Sequence, residues 1–200
     1  MSMRATVTPA LIAILATVGL GSCAPIDRDE AFEVQERIER VVIRVDHGDL
    51  VVLGTDRDTV SVERTVQGWQ GSLDMETRVD DGTLTIRAGC DGPLRCRIDS
   101  VVEVPRDVEL SIVVGAGEIE LVGLSGVVDI SLRDGDLSAR GLESSELAAS
   151  LAAGDVDLEL ETMPEHLSIA VGSGDVRVSG ATGDLDLADL SVASGDIEVH

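Results

Sequence analysis

The sequence predicts an all-β, single-domain parallel β-solenoid with coils of about 18–21 residues behind a signal peptide, and three observations lead to it. A phrase recurs in which glycine is followed by an acidic residue, an aliphatic, any residue and an aliphatic. It reads Gly117-Glu118-Ile119-Glu120-Leu121, Gly135-Asp136-Leu137-Ser138-Ala139, Gly154-Asp155-Val156-Asp157-Leu158, Gly174-Asp175-Val176-Arg177-Val178 and Gly195-Asp196-Ile197-Glu198-Val199. The leading glycines stand 18, 19, 20 and 21 residues apart. Within these stretches apolar residues fall at every second position, the period of a half-buried strand. A longer echo matches Leu110–Gly117 to Leu167–Gly174 at an offset of 57, three units of 19. One such coil cannot bury its own apolar row, but stacked coils bury a common one.

The first element is an address. Arg4 is the only charge before Asp27, and residues 5–20 are apolar or small. Sixteen residues containing Pro9 fall short of the ~20 that span a bilayer and fit a secretory leader. Leu20-Gly21-Ser22-Cys23 resembles the bacterial lipobox, which implies cleavage after residue 22 and lipidation of Cys23. Ala24 follows in place of the Asp that retains many enteric lipoproteins in the inner membrane, and this favours the outer membrane. Residues 1–22 are thus read as signal peptide, 23–40 as a polar lipidated tether, and 41–200 as the folded domain.

Strands are expected at Val41–Val45 and within Gly48–Gly54, where Gly48-Asp49-Leu50 is an early copy of the phrase. Asp80-Asp81-Gly82 reads as a hairpin turn, and Gly82-Thr83-Leu84-Thr85-Ile86 as a degenerate copy, so hairpins and coils mix before residue 106. With Cys23 lipidated, Cys90 and Cys96 remain, flanking a turn-rich stretch; in an oxidising compartment they are read as a disulfide. A redox pair or a metal site lacks support, because the spacing has no adjacent His. Residues 111–200 hold about five coils, roughly 24 Å of stack at ~4.8 Å each. Second strands sit half-way through each unit, at Val128–Leu132, Glu146–Leu151 and Asp184–Leu187. The inward row is expected to be Ile119, Leu137, Val156, Val176 and Ile197, with Glu120, Asp157, Arg177 and Glu198 outward. Parallel crossovers of this kind are right-handed as a rule. The sequence stops at His200 just after a copy of the phrase, so an open coil edge is expected there, with monomers at low salt and edge association at high salt.

The serine-glycine-acid phrasing of Ser173-Gly174-Asp175-Val176-Arg177-Val178-Ser179-Gly180 and Ser194-Gly195-Asp196-Ile197, with the Val104-Pro105 step ahead of the regular coils, resembles the bacterial putative-adhesin family of the DUF4097 type, in a lipoprotein form. The related head GIN domain is similar in kind. The resemblance covers about residues 41–200 and implies a parallel β-helix-like fold at the cell surface or in the periplasm. It carries over no catalytic residue.

Composition excludes several functions. Fifteen Arg and no Lys stand against 38 Asp and Glu, a net charge of −23. Unaided nucleic-acid binding needs clustered cations, and docking on anionic lipid by charge needs the same. His47, His166 and His200 are scattered, and no G-x-S-x-G elbow is present. Residues 107–200 carry 20 acids against Arg133, Arg140 and Arg177, net −17, so an acidic polysaccharide would be repelled and a β-helix lyase is a remote reading. Stacking should bring Glu118, Asp136, Asp155, Asp175 and Asp196 into one ladder. Neighbouring carboxylates there repel by only ~0.9 kcal/mol in water-like dielectric, so capping of turn amides needs no ion, and a cation is a weak alternative. No cofactor is expected. The function expected is a non-catalytic envelope lipoprotein presenting an adhesin-like binding or scaffold surface; the alternative is a stress or regulatory sensor that contacts another envelope protein.

Overall fold

A computed structural model describes residues 25–69, 73–90, 96–180 and 188–200. Every regular element among them is a β-strand, and together they form two sheets. The N-terminal part contributes β1 (Pro25–Val34), β2 (Arg40–His47), β3 (Leu50–Thr55), β4 (Val60–Trp69), β5 (Leu73–Asp80), β6 (Thr83–Cys90) and β7 (Arg97–Pro105). The regular part contributes β8 (Glu109–Ala116), β9 (Ile119–Val122), β10 (Val128–Asp134), β11 (Leu137–Leu142), β12 (Glu146–Ala153) and β13 (Val156–Leu160). It continues with β14 (His166–Ser173), β15 (Val176–Ser179), β16 (Ala188–Val192) and β17 (Ile197–Val199). The nine-stranded sheet runs β1-β4-β7-β3-β9-β11-β13-β15-β17 and the eight-stranded sheet β16-β14-β12-β10-β8-β2-β6-β5.

From β8 onward the chain gives one strand to each sheet in turn, and every strand is parallel to its neighbours, so this half is β-solenoid-like. Its period-2 alternation is the reason: the same phase points inward in coil after coil. Ile119, Leu137, Val156 and Val176 are register partners across successive coils and are buried. Leu110, Val128, Leu147 and Leu167 form the matching row of the opposite sheet. Each such side chain contributes about 1.5–3 kcal/mol of burial, and the rows merge into one core. The fifth member of the first row behaves differently from expectation. Ile197 is 42% exposed and Val199 40%, because they occupy the last described layer and are covered from one side only.

The N-terminal half departs from a simple winding. The β2–β3 coil, first in sequence, lies between the β6–β7 coil and the β8–β9 coil in both sheets. Beyond β6–β7 the strands turn antiparallel: β5 pairs with β6, β4 with β7, and β1 with β4. The expected hairpin forms between β5 and β6, with Asp81 at φ 47° and Gly82 at φ 74°, the pair of positive values a type I′ turn requires. Gly82 is therefore a hairpin glycine feeding the eight-stranded sheet, and not a copy of the repeat phrase, whose glycines lead into the nine-stranded sheet.

One further expectation is corrected. The stretch read as tether is not slack: Pro25–Val34 pairs along its whole length with β4, from Pro25 opposite Trp69 to Val34 opposite Val60. Its sequence reads as polar because β1, the edge strand of the nine-stranded sheet, has no counterpart in the eight-stranded sheet; of its residues, Phe32 and Val34 pack on the core. The strand read at Asp184–Leu187 falls outside the described residues, and the strand that pairs with β14 is Ala188–Val192.

Candidate functional site

Each coil passes from the eight-stranded to the nine-stranded sheet through one corner, and the corner residues stack. Gly117, Gly135, Gly154, Gly174 and Gly195 have φ between 133° and 149° there. A Cβ on Gly154 would lie 1.8 Å from the carbonyl oxygen of Gly135, and one on Gly174 2.0 Å from that of Gly154. Both the backbone angle and the space beneath it demand glycine.

Asp136, Asp155 and Asp175 each serve the amide of the next coil. The Asp155 N–H donates to Asp136 Oδ1 at 2.9 Å, Asp175 to Asp155 Oδ1 at 2.8 Å and Asp196 to Asp175 Oδ1 at 2.9 Å. The same ladder runs toward the other end, where Glu118 N–H donates to Asp49 Oδ1 at 3.0 Å and Asp49 N–H to Asp99 Oδ1 at 2.8 Å. These are charge-assisted bonds, stronger than neutral ones. Asp99 was invisible as a ladder member because Ile98, not glycine, precedes it. Arg97 lies across this end, its Nε 3.0 Å from Asp99 Oδ1 and its Nη2 on Asp49. The hydrogen bond to Asp99, then the charges of Asp99 and Asp49, raise the Arg97 pKa above its ordinary value. Among the described residues no three His, Cys, Asp or Glu side chains converge as a metal-ligand set.

At the β1 end the corner opens into a cleft of about 1000 Å³ lined by Pro25, Ile26, His47, Trp69, Cys96 and Arg97. Cys90 and Cys96 are joined across its wall, with Cα atoms 6.1 Å apart; they tie the end of β6 to the start of β7 where the other coils use the glycine corner. The Cys90 N–H donates to Asp46 Oδ2 at 3.3 Å. His166 stands at the start of β14 and His200 beyond β17, 3.8 Å from Glu198, so the three histidines share no site.

Sequence reasoning missed Arg64. It sits in the inward phase of β4 with Val60, Val62 and Val66, opposite Ser100 on one side and Glu30 on the other. The guanidinium lies 4.8 Å from the centre of the Phe32 ring, and Nη2 donates to Thr77 Oγ1 at 3.3 Å. Nε and Nη1 are buried and find no acceptor among the described residues. Burial pushes its pKa down, against the pull of Glu30. The available signal was a charged residue in phase with three valines.

Cys23, the expected lipidation site, lies outside the described residues. The Toastrack DUF4097 family matches residues 38–200. No curated protein gives a significant match. Among solved structures, the chain is similar to a putative cell adhesion protein from Clostridium sporogenes ATCC 15579, with a TM-score of 0.50 and 13% identity over 87% of this chain and 95% of that one. It also matches a putative adhesin from Bacteroides fragilis NCTC 9343 (TM-score 0.32, 15% identity, 86% and 97% covered). A putative lipid binding protein from Parabacteroides distasonis ATCC 8503 has a TM-score of 0.31 and 14% identity, with 86% and 96% covered. At these identities the first likeness speaks to the fold alone.

Proposed function

This chain belongs to the Toastrack DUF4097 family, and from that membership we propose that it is a non-catalytic envelope lipoprotein whose solenoid, wound right-handed, presents an adhesin-like binding surface. In this reading residues 1–22 are removed, Cys23 carries the lipid in the outer membrane, the Cys90–Cys96 disulfide reflects an oxidising compartment, and the protein is a monomer. The acid ladder serves as an amide cap, with Asp136, Asp155 and Asp175 each accepting from the next coil.

The observation that carries the reading is the outer face of the eight-stranded sheet. Val113, Ser131, Ser150, Ala170 and Ser191 are register partners along one row, and Ser111, Asp129, Ala148, Ser168 and Asp189 along the next. Short side chains at strand spacing make a flat face, suited to a broad partner surface rather than a buried small molecule. The outer face of the other sheet carries Glu120, Asp157, Arg177 and Glu198, with ion pairs across coils such as Arg140 to Glu120.

The test uses cells that make the chain with Ser150→Arg and Ala170→Arg, two exposed positions on the flat face. Attachment to protein- or glycan-coated surfaces should fall severalfold while the urea midpoint of the purified variant is unchanged. Attachment equal to wild type removes the adhesin reading. Crosslinking of the same face to a single envelope protein, with attachment unaffected, would favour the sensor alternative.

A further inference from the structure

Strand β1 leaves almost no slack between the proposed lipid and the folded domain. It begins at Pro25, two residues after Cys23. Two residues span at most about 7 Å, so a lipid on Cys23 holds the start of β1 within about 7 Å of the headgroups. The polar layer of a leaflet is itself roughly 5–7 Å deep.

The residues at that corner suit the position. Pro25 is the register partner of Trp69, at a strand separation of about 5 Å, which puts Trp69 within about 12 Å of the anchor. Trp69 is 39% exposed and is the single tryptophan of the chain. Ile26 is half-buried beside it, and Gln67 and Gly68 carry no charge. Asp27 and Asp46 flank the corner, and Arg97 is engaged by Asp49 and Asp99. The carboxylate ladder Glu118, Asp136, Asp155, Asp175 and Asp196 runs away from this end toward β17. Tryptophan is favoured where hydrocarbon meets headgroup.

We infer that the Pro25–Ile26–Trp69 corner is seated in the bilayer interface, with lipid as its occupant, and that the short link from Cys23 seats it there. This rests on the lipid-anchor reading above. The stack then stands away from the membrane on its β1 end. Across the eight strand spacings of the nine-stranded sheet, at ~4.8 Å each, the β17 layer lies roughly 38 Å from β1.

The protein purified from membranes is placed in phosphatidylcholine vesicles carrying bromines either near the top of the acyl chains or near their ends. Trp69 should lose roughly half its fluorescence to the shallow bromines and less to the deep ones. A second variant carries a spacer of about ten Gly and Ser residues between Ala24 and Pro25, outside every strand, adding roughly 17 Å of reach. It should float with vesicles as before and lose the quenching. Protein that floats while its Trp69 is unquenched overturns the seating and leaves the anchor intact; equal quenching with the spacer overturns the role of the short link. The mass of the N-terminal peptide reads the anchor separately, and an unmodified Cys23 would overturn the anchor and the seating together.

Discussion

At the scale of single residues, the corner glycines differ in what they tolerate. Gly154→Ala places a methyl 1.8 Å from Gly135 O on a backbone at φ 133°, and should cost at least about 3 kcal/mol. Gly123 is left-handed at φ 67° but has Gly54 O at 3.6 Å, so Gly123→Ala should cost about 1–2 kcal/mol. Urea midpoints of the two variants check the difference. Asp155 separates capping from ion binding. Asp155→Asn keeps an oxygen for the Asp175 amide and should be near neutral, whereas Asp155→Ala should cost about 1 kcal/mol. Calcium should leave that difference unchanged; a calcium-dependent gap would restore the ion. Arg64→Met keeps the stem against Phe32 and removes two buried N–H groups without acceptors, so stability should hold or rise. A loss above about 2 kcal/mol would show that the guanidinium is paired in solution.

Among the elements, β13 tests the register. Val156→Asp puts a carboxylate into the inward row and should cost several kcal/mol, while Asp157→Ala, one residue on and exposed, should cost under ~0.5. Equal losses in thermal melts would mean the faces are reversed. Cys90→Ser with Cys96→Ser should cost about 2 kcal/mol, because a small ring closes in their absence only at the expense of chain entropy. These strands were legible because glycine, acid and alternating aliphatics mark the same place in every coil. β1 was not, since an edge strand with no sheet opposite needs few apolar residues, and Ile26, Ala31, Phe32 and Val34 do not alternate cleanly among their charged neighbours. Gly82 misled for the opposite reason: a hairpin glycine followed by alternating residues looks like a corner glycine until the sheet it feeds is known. Of the corner site, the acid ladder was readable from spacing. The cleft was not, because it joins residues from β1, β2, β4 and β7 that only the antiparallel strands bring together.

For the whole molecule, a net charge of −23 stacked in rows at strand spacing opposes compaction. Raising NaCl from about 20 to 500 mM should therefore raise the melting temperature, and calcium chloride of equal ionic strength should do no better. Calorimetry decides; a melting temperature that falls with salt would mean the Arg–acid pairs outweigh the repulsion. The placement of the β2–β3 coil sets a different condition, one of timing. Its neighbours begin at Thr83 and Glu109, so strands synthesised early must wait for strands synthesised late on both sides. Closing those long loops is slow compared with adding each later coil to the one just finished. The N-terminal half should thus form as one cooperative nucleus, and the coils from β10 onward should add to it in order. A nascent chain halted before Glu109 would leave the Val41–Val45 strand with one bare edge, the stage at which this protein is most open to pairing with the wrong partner.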